Sequence, residues 1–352
     1  MTMEEKLLDF FNFDELNGFL GGIVNSNRIG VEDLLEELVT GDFSSFRDLL
    51  GKYIHEVFFG NLEQCRELFL GIMLLGIFAI ALGSMSDLFK SSQIAMFSRY
   101  FVFMFVSLLL LKCFVNSYES AKLLLEEMED FIGVLMPVFC IALGMANGTV
   151  TAAAHYELQF ILLFLVEKVM IGILLPLVQV YCILHVMNQL PEGNRFGGIL
   201  SLIRKVIMFV TKGSLFVSIG GSLFQAALMP AIDGLKNKML LKTISLFPGL
   251  GDYAGAIGEM VLQGASLIKN SVGIIGVFIL ILMCIRPVLI TLMYGAVIRL
   301  ASALLQISGE KRFTGHIWKM ADSFFMLARV QFFGGGIFFV SIVVAVVAFA
   351  RK

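Results

Sequence analysis

The chain has 352 residues, 58% of them hydrophobic and only 15% charged, with 26 Lys and Arg against 28 Asp and Glu and a mean hydropathy of +0.88. Soluble domains carry roughly a quarter charged residues, so this composition excludes an ordinary soluble enzyme and defines an all-α, polytopic helical membrane protein. The charge is unevenly spread: residues 1 to 67 hold fourteen acids and five bases, a net −9, while residues 68 to 352 hold fourteen acids and twenty-one bases, a net +7.

Two regions follow: an acidic amphipathic helical region at 1–66, expected outside the cytoplasm, and a multi-span domain at 67–352. No secretory signal is read in Met1 to Phe10, which is acidic and not followed by a charge-free apolar stretch. In the first region Val31, Leu34, Leu35, Leu38 and Val39, then Phe43, Phe46, Leu49, Leu50, Tyr53, Ile54, Val57 and Phe58, recur at helical spacing. Gly21 with Gly22, and Gly41 with Asp42, read as interruptions between short helices. A region this short has little core of its own, so it is expected to pack on the membrane part, on the lipid surface or on a partner.

The spans begin with Leu68 to Met85 and Phe101 to Val115, each near the ~20 residues that cross a hydrocarbon core. Residues 116 to 130 carry Glu119, Lys122, Glu126, Glu127, Glu129 and Asp130, and read as a loop helix outside lipid. Phe131 to Val150 contains Pro137, Gly144 and Gly148 and reads as a crossing or a re-entrant segment. Phe160 to Met187 is unusually long, which predicts a tilted or broken helix. Val206 to Met229 reads as a span, and Ala231 to Asn270 as an interfacial segment. Arg286 and Pro287 divide Val272 to Leu305 into halves, as in a discontinuous helix or tight hairpin, and Gly334 to Ala350 is the last span. About six to eight crossings are expected.

Orientation follows from the excess of Lys and Arg in cytoplasmic loops. Lys90 and Arg99, then Arg195, Arg204 and Lys205, then Lys311, Arg312, Lys319 and Arg329 mark three cytoplasmic loops. The acidic stretch at 116 to 130 is then outside, and so is the N-terminal region if residues 131 to 150 re-enter without crossing.

Motifs for catalysis are absent from this reading. His55, His155, His185 and His316 are isolated, so no metal is predicted. The five cysteines, Cys65, Cys113, Cys140, Cys182 and Cys284, are widely spaced and read as small core residues. Gly249, Gly251 and Ala254 formally match GxGxxA, but Ser245 to Pro248 is no β-strand, so no nucleotide site is assigned; Gly251 and Gly255 read instead as a helix-packing pair. No Walker A loop is present, no cofactor is expected, and no nucleic acid is expected as a partner.

The candidate positions are the charges inside apolar runs, because a charge at mid-membrane costs about 2.5–3.5 kcal/mol on insertion scales and usually faces protein or water. These are Glu167, Lys168, Lys212 and Arg286. They read either as a polar pathway through the bundle or, the favoured reading, as a snorkelling Lys212, helix-capping Glu167 and Lys168, and a hairpin-ending Arg286.

Four stretches carry a resemblance: VTGDFSSFRDLL at residues 39 to 50, LIRKVI at 202 to 207, LIKNSVGIIGVFIL at 267 to 280 and LASALLQ at 300 to 306. In these the chain resembles the stage III sporulation protein AE family of endospore-forming Firmicutes. The resemblance implies a non-enzymatic membrane subunit of the mother-cell to forespore channel, in the mother-cell membrane around the forespore. It also implies the other stage III sporulation AA to AH proteins and the stage II sporulation protein Q as partners, beside the lipid bilayer; self-association stays open. It supplies no catalytic residues. The alternative is a secondary transporter or permease using the intramembrane charges.

Overall fold

The computed structural model describes residues 14–24, 30–40, 43–89, 92–147, 149–188, 196–244, 251–307 and 311–350. Met1 to Phe10, the turn residues Gly41 and Asp42, Lys90, Arg195 and Gly249 lie outside them. All regular structure among the described residues is helical, in chain order α1 Asp14–Val24, α2 Val31–Thr40, α3 Ser44–Gly60, α4 Leu62–Phe89, α5 Ser92–Asn147, α6 Thr149–Val169, a π-helical turn Met170–Leu174, α7 Leu175–Met187, α8 Gly197–Ile244, α9 Gly251–Gln306 and α10 Lys311–Ala350.

Five stretches among the described residues are long and apolar enough to cross a membrane: Ser44–Leu82, Tyr100–Pro137, Ile161–Met187, Ser271–Gln306 and Phe313–Val344. Their outward faces carry large apolar side chains, among them Leu70, Leu74, Ile77 and Phe78 on α4 and Phe101, Met104, Phe105 and Leu108 on α5. A water-soluble protein rarely leaves so continuous an apolar surface uncovered, whereas lipid covers it.

α9 and α10 form the centre of the bundle, and α5 packs against both. Pairs of contacts set the directions. Ser107 meets His316 at 3.0 Å and the Phe114 and Phe324 rings stand 5.5 Å apart, so α5 and α10 run parallel. Ser302 donates to the Thr314 carbonyl and Arg299 pairs with Asp322, so α9 runs antiparallel to α10. α4 packs against both α5 and α9, and its glycines permit the approach. A Cβ at Gly71 would lie 3.3 Å from Leu109, and one at Gly76 would collide with Leu305 of α9. α6, α7 and α8 complete the other flank, where Phe196 N–H donates to Asn188 Oδ1 across the α7–α8 turn.

Several local expectations change. Residues 116 to 130 are not a loop helix between two spans: they are the middle of α5, a single 56-residue helix. At 1.5 Å per residue such a rod is about 84 Å long, more than twice a ~30 Å hydrocarbon core. Arg286 and Pro287 do not split a hairpin, because α9 runs through them unbroken. Pro287 takes the helical donor from the Met283 carbonyl, but packed neighbours hold the rod. Gly21 and Gly22 lie inside α1 instead of ending it. Arg204, Lys205, Lys319 and Arg329, expected in loops, are on α8 and α10.

The long segment at 160 to 187 is interrupted, as its length and Pro176 predict. Pro176 has no N–H to give to a carbonyl one turn earlier, and the helix widens before it, with Leu175 N–H reaching the Met170 carbonyl five residues back.

The N-terminal helices pack on the membrane part, one of the three options the sequence leaves. Leu34, Leu35, Leu49, Tyr53 and Val57 are buried. Phe46 meets Phe278 of α9 edge to face with centroids 4.7 Å apart, and Phe19 meets Phe131 of α5 at 5.4 Å. α3 and α4 are separated only by the single turn residue Asn61, whose side-chain amide donates to the Val57 carbonyl at 2.6 Å.

Candidate functional site: a charged cross-section of the bundle

Glycines on α10 bring three helices to one level. A Cβ at Gly334 would lie 2.8 Å from Leu125 of α5 and 3.0 Å from Met170 at the π-turn, and one at Gly335 would collide with Cys284 of α9 while meeting Met128 of α5. Residues 125–129, 167–170, 284–286 and 334–335 therefore share one cross-section. That level collects Glu127, Glu129, Glu167, Lys168 and Arg286, residues spread over 160 positions of sequence.

Glu167 is the most enclosed of them, at 1% exposure. It lies on the buried stripe of α6 with Leu163 and Met170, spaced four and three residues away. Glu129 of α5 is on the matching stripe with Leu125, Met128 and Ile132, and so turns toward α6, whereas Glu127 of the same charge run lines the neighbouring cavity and Glu119, Lys122 and Asp130 are exposed. The Glu129 carboxyl is within hydrogen-bonding reach of Glu167. Lys168 bridges the two, with Nζ 3.6 Å from Glu129 and 3.5 Å from Glu167, and it also lies over the Phe164 ring at 4.7 Å. Those are ion-pair distances, longer than well-formed charge-assisted hydrogen bonds.

Arg286 points into a separate polar cavity of about 480 Å³. Tyr53 of α3, Asn61, Gln64 of α4, Ser117 and Glu127 of α5 and Tyr294 of α9 are among its walls. Tyr294 closes one side by donating to Gln64 Oε1 at 2.8 Å. Arg286 and Glu127, of opposite charge, both lie within electrostatic range of Tyr53. The cavity thus lies where the N-terminal helices meet the spans.

Of the four positions singled out in the sequence, the structure brings Glu167 and Lys168 together with Glu129 and places Arg286 on the same level in the neighbouring cavity. Lys212 is exposed on α8 and does not join them. Lys168 stands in the last turn of α6, before the π-turn, while Glu167 faces inward instead of serving a helix end. Two of the histidines read as isolated in the sequence are buried: His316 is bonded to Ser107 and tilted against Phe103 at 4.1 Å, and His185 is edge-on to Tyr181 at 4.5 Å. Among the described residues no three His, Cys, Asp or Glu converge as a metal site.

A bundle of membrane-length helices with ionisable groups gathered on one internal level defines a polytopic membrane protein with a polar section inside it. Residues 29–349 match the family of stage III sporulation protein AE. The stage III sporulation protein AE of Bacillus subtilis (strain 168) is 25% identical over 306 residues, covering 87% of this chain and 75% of that protein. No solved structure matches. The chain belongs to the stage III sporulation protein AE family, and with it to the stage III sporulation proteins.

Proposed function

We propose that the chain is a non-enzymatic subunit of the mother-cell to forespore channel or secretion complex, located in the mother-cell membrane that surrounds the forespore. The observation that carries this is the extent of the family match, which starts before α2 and ends at the last residues of α10 and so includes the N-terminal helices together with the spans. Such a subunit works beside other stage III sporulation proteins, and the N-terminal helices packed on α9 and α5 offer a face to them on the side away from the cytoplasm. Any energy source that acts through ATP comes from another chain.

The test is replacement. In Bacillus subtilis lacking its own stage III sporulation protein AE, this chain should restore late forespore gene expression and heat-resistant spores, and tagged chain should co-purify with other stage III proteins from sporulating cells. Membrane insertion without either result rejects the reading.

The cavity around Arg286 favours a second reading, a secondary transporter or permease, because it places a base and an acid on the walls of one open polar cavity between the helices. Purified chain in vesicles separates the two. Solute uptake by the chain alone, lost in Arg286→Ala, supports the transporter; absence of uptake alongside restored sporulation supports the subunit.

A further inference from the structure

The geometry points to a proton-binding site formed by Glu129 and Glu167, in which the two carboxyl groups share one proton beside Lys168. Three observations lead there, and none depends on the sporulation reading.

The first is charge. Two carboxylates and one ammonium leave a net charge of −1 in a group whose central member is 1% exposed. Among the described residues, the charged groups that bear on Glu167 are Glu129 and Lys168. α10 closes this place with Phe338, and α6 adds Leu163 and Phe164. Glu129 and Lys168 are partly exposed, but Glu167 is enclosed, so a charge on its carboxyl is disfavoured, and one proton removes it.

The second is hydrogen bonding. Neither Glu167 oxygen has a hydrogen-bond partner of good geometry among the described residues, although the Glu129 carboxyl is within reach. Two ionised carboxylates cannot bond each other, because both only accept. A single proton turns one into a donor and converts the repulsive approach into a hydrogen bond, as in other carboxyl pairs that share a site.

The third is the space. Glu129, Glu167, Ile132, Leu163, Phe164 and Phe338 line a void of about 10 Å³, no larger than one water. Apart from the two carboxyl groups that lining is hydrocarbon. A metal cation needs several oxygen ligands around it, and among the described residues no side-chain hydroxyl or amide lines this void to supply them. A proton needs only the two carboxyls.

Glu167 is also three residues before the π-turn Met170–Leu174, where the helix is already open by one residue per turn. Losing the proton restores a net negative charge between α5, α6 and α10 next to that opening. The proton is thereby tied to the packing of α6 and α7 on the centre of the bundle.

The experiment is infrared difference spectroscopy on the full chain in lipid nanodiscs, stepped in pH in sodium chloride and again in choline chloride. The expected result is a protonated-carboxyl band at neutral pH, unaffected by the salt and lost in both Glu167→Gln and Glu129→Gln, because each leaves one carboxylate for Lys168 to neutralise. Glu127→Gln, in the neighbouring cavity, should keep the band. Lys168→Met should keep it to higher pH than the unmodified chain. Glu129, with a side chain 27% exposed, supplies the variant least disturbing to the fold. No band at neutral pH, or a band that survives in Glu167→Gln, overturns the site; a band displaced by sodium overturns the proton in favour of a metal cation.

Discussion

Phe46 and Phe278 meet edge to face with ring centroids 4.7 Å apart, joining the start of α3 to a membrane-length helix more than two hundred residues later. The contact makes the acidic N-terminal segment part of the bundle's packing. Phe46→Ala removes the ring from one side of that contact, and truncating a buried Phe typically costs about 3–5 kcal/mol. We expect hydrogen exchange to rise across α2 and α3 while α9 and α10 remain protected. Equal protection of α2 and α3 in the variant would show that the segment is held by other means.

The three consecutive glycines of α10 make a graded test of helix approach. A Cβ on Gly336 meets nothing within 4 Å, whereas one on Gly334 lies 2.8 Å from Leu125 and one on Gly335 runs into Cys284. Gly336→Ala should therefore be neutral or stabilise by up to about 1 kcal/mol through helix propensity. Gly335→Ala should destabilise by about 1–3 kcal/mol through overpacking. Thermal unfolding of the two purified variants and the unmodified chain in one detergent ranks them, and equal melting temperatures for all three would refute the close packing of α9 on α10.

The membrane class and the packing stripes of the N-terminal helices were legible in the sequence, because hydropathy and a 3.6-residue period report directly on solvent and face. Phe43, Ile54 and Phe58 fell outside the stripe and are exposed, since the pattern lists apolar residues without saying how wide the covered face is. Helix continuity was not legible. Glu119 to Asp130 mark a stretch unsuited to lipid, but a helix can run through such a stretch without ending, and α5 does. Pro287 likewise suggests a break that packing overrides. The partner of Glu167 was hidden for a related reason: six charged residues crowd positions 119 to 130, and only the spacing of Glu129 with Leu125 and Ile132 says which one turns inward. That signal was available in the stripe. The meeting with α6 was not, because it depends on how two long rods align.

Arg299 and Asp322 link the two central helices, with Arg299 Nη2 2.6 Å from Asp322 Oδ1 and the guanidinium over the rings of Trp318 at 5.1 Å and Phe325 at 4.3 Å. Both side chains are partly exposed, which limits what the ion pair contributes. Stacking adds a part that does not need the acid. A double-mutant cycle with Asp322→Asn and Arg299→Met should give a coupling of about 1 kcal/mol, and Arg299→Met alone should cost more than Asp322→Asn because it also loses both rings. The reverse order of the single variants would mean that stacking contributes nothing.

Glu167→Gln separates a working proton site from a packing device in cells. Gln has nearly the volume of Glu and resembles its protonated form, so the packing of α6 on α5 and α10 is preserved while proton release is abolished. If the subunit must release and rebind that proton during its cycle, the variant should accumulate in the membrane at normal levels yet lower the yield of heat-resistant spores. Glu167→Ala, which leaves a void and strands Lys168 with Glu129, should lower both accumulation and spore yield. Full sporulation with Glu167→Gln would assign the shared proton to stability alone, because the permanently neutral side chain would then serve every step the ionisable one does.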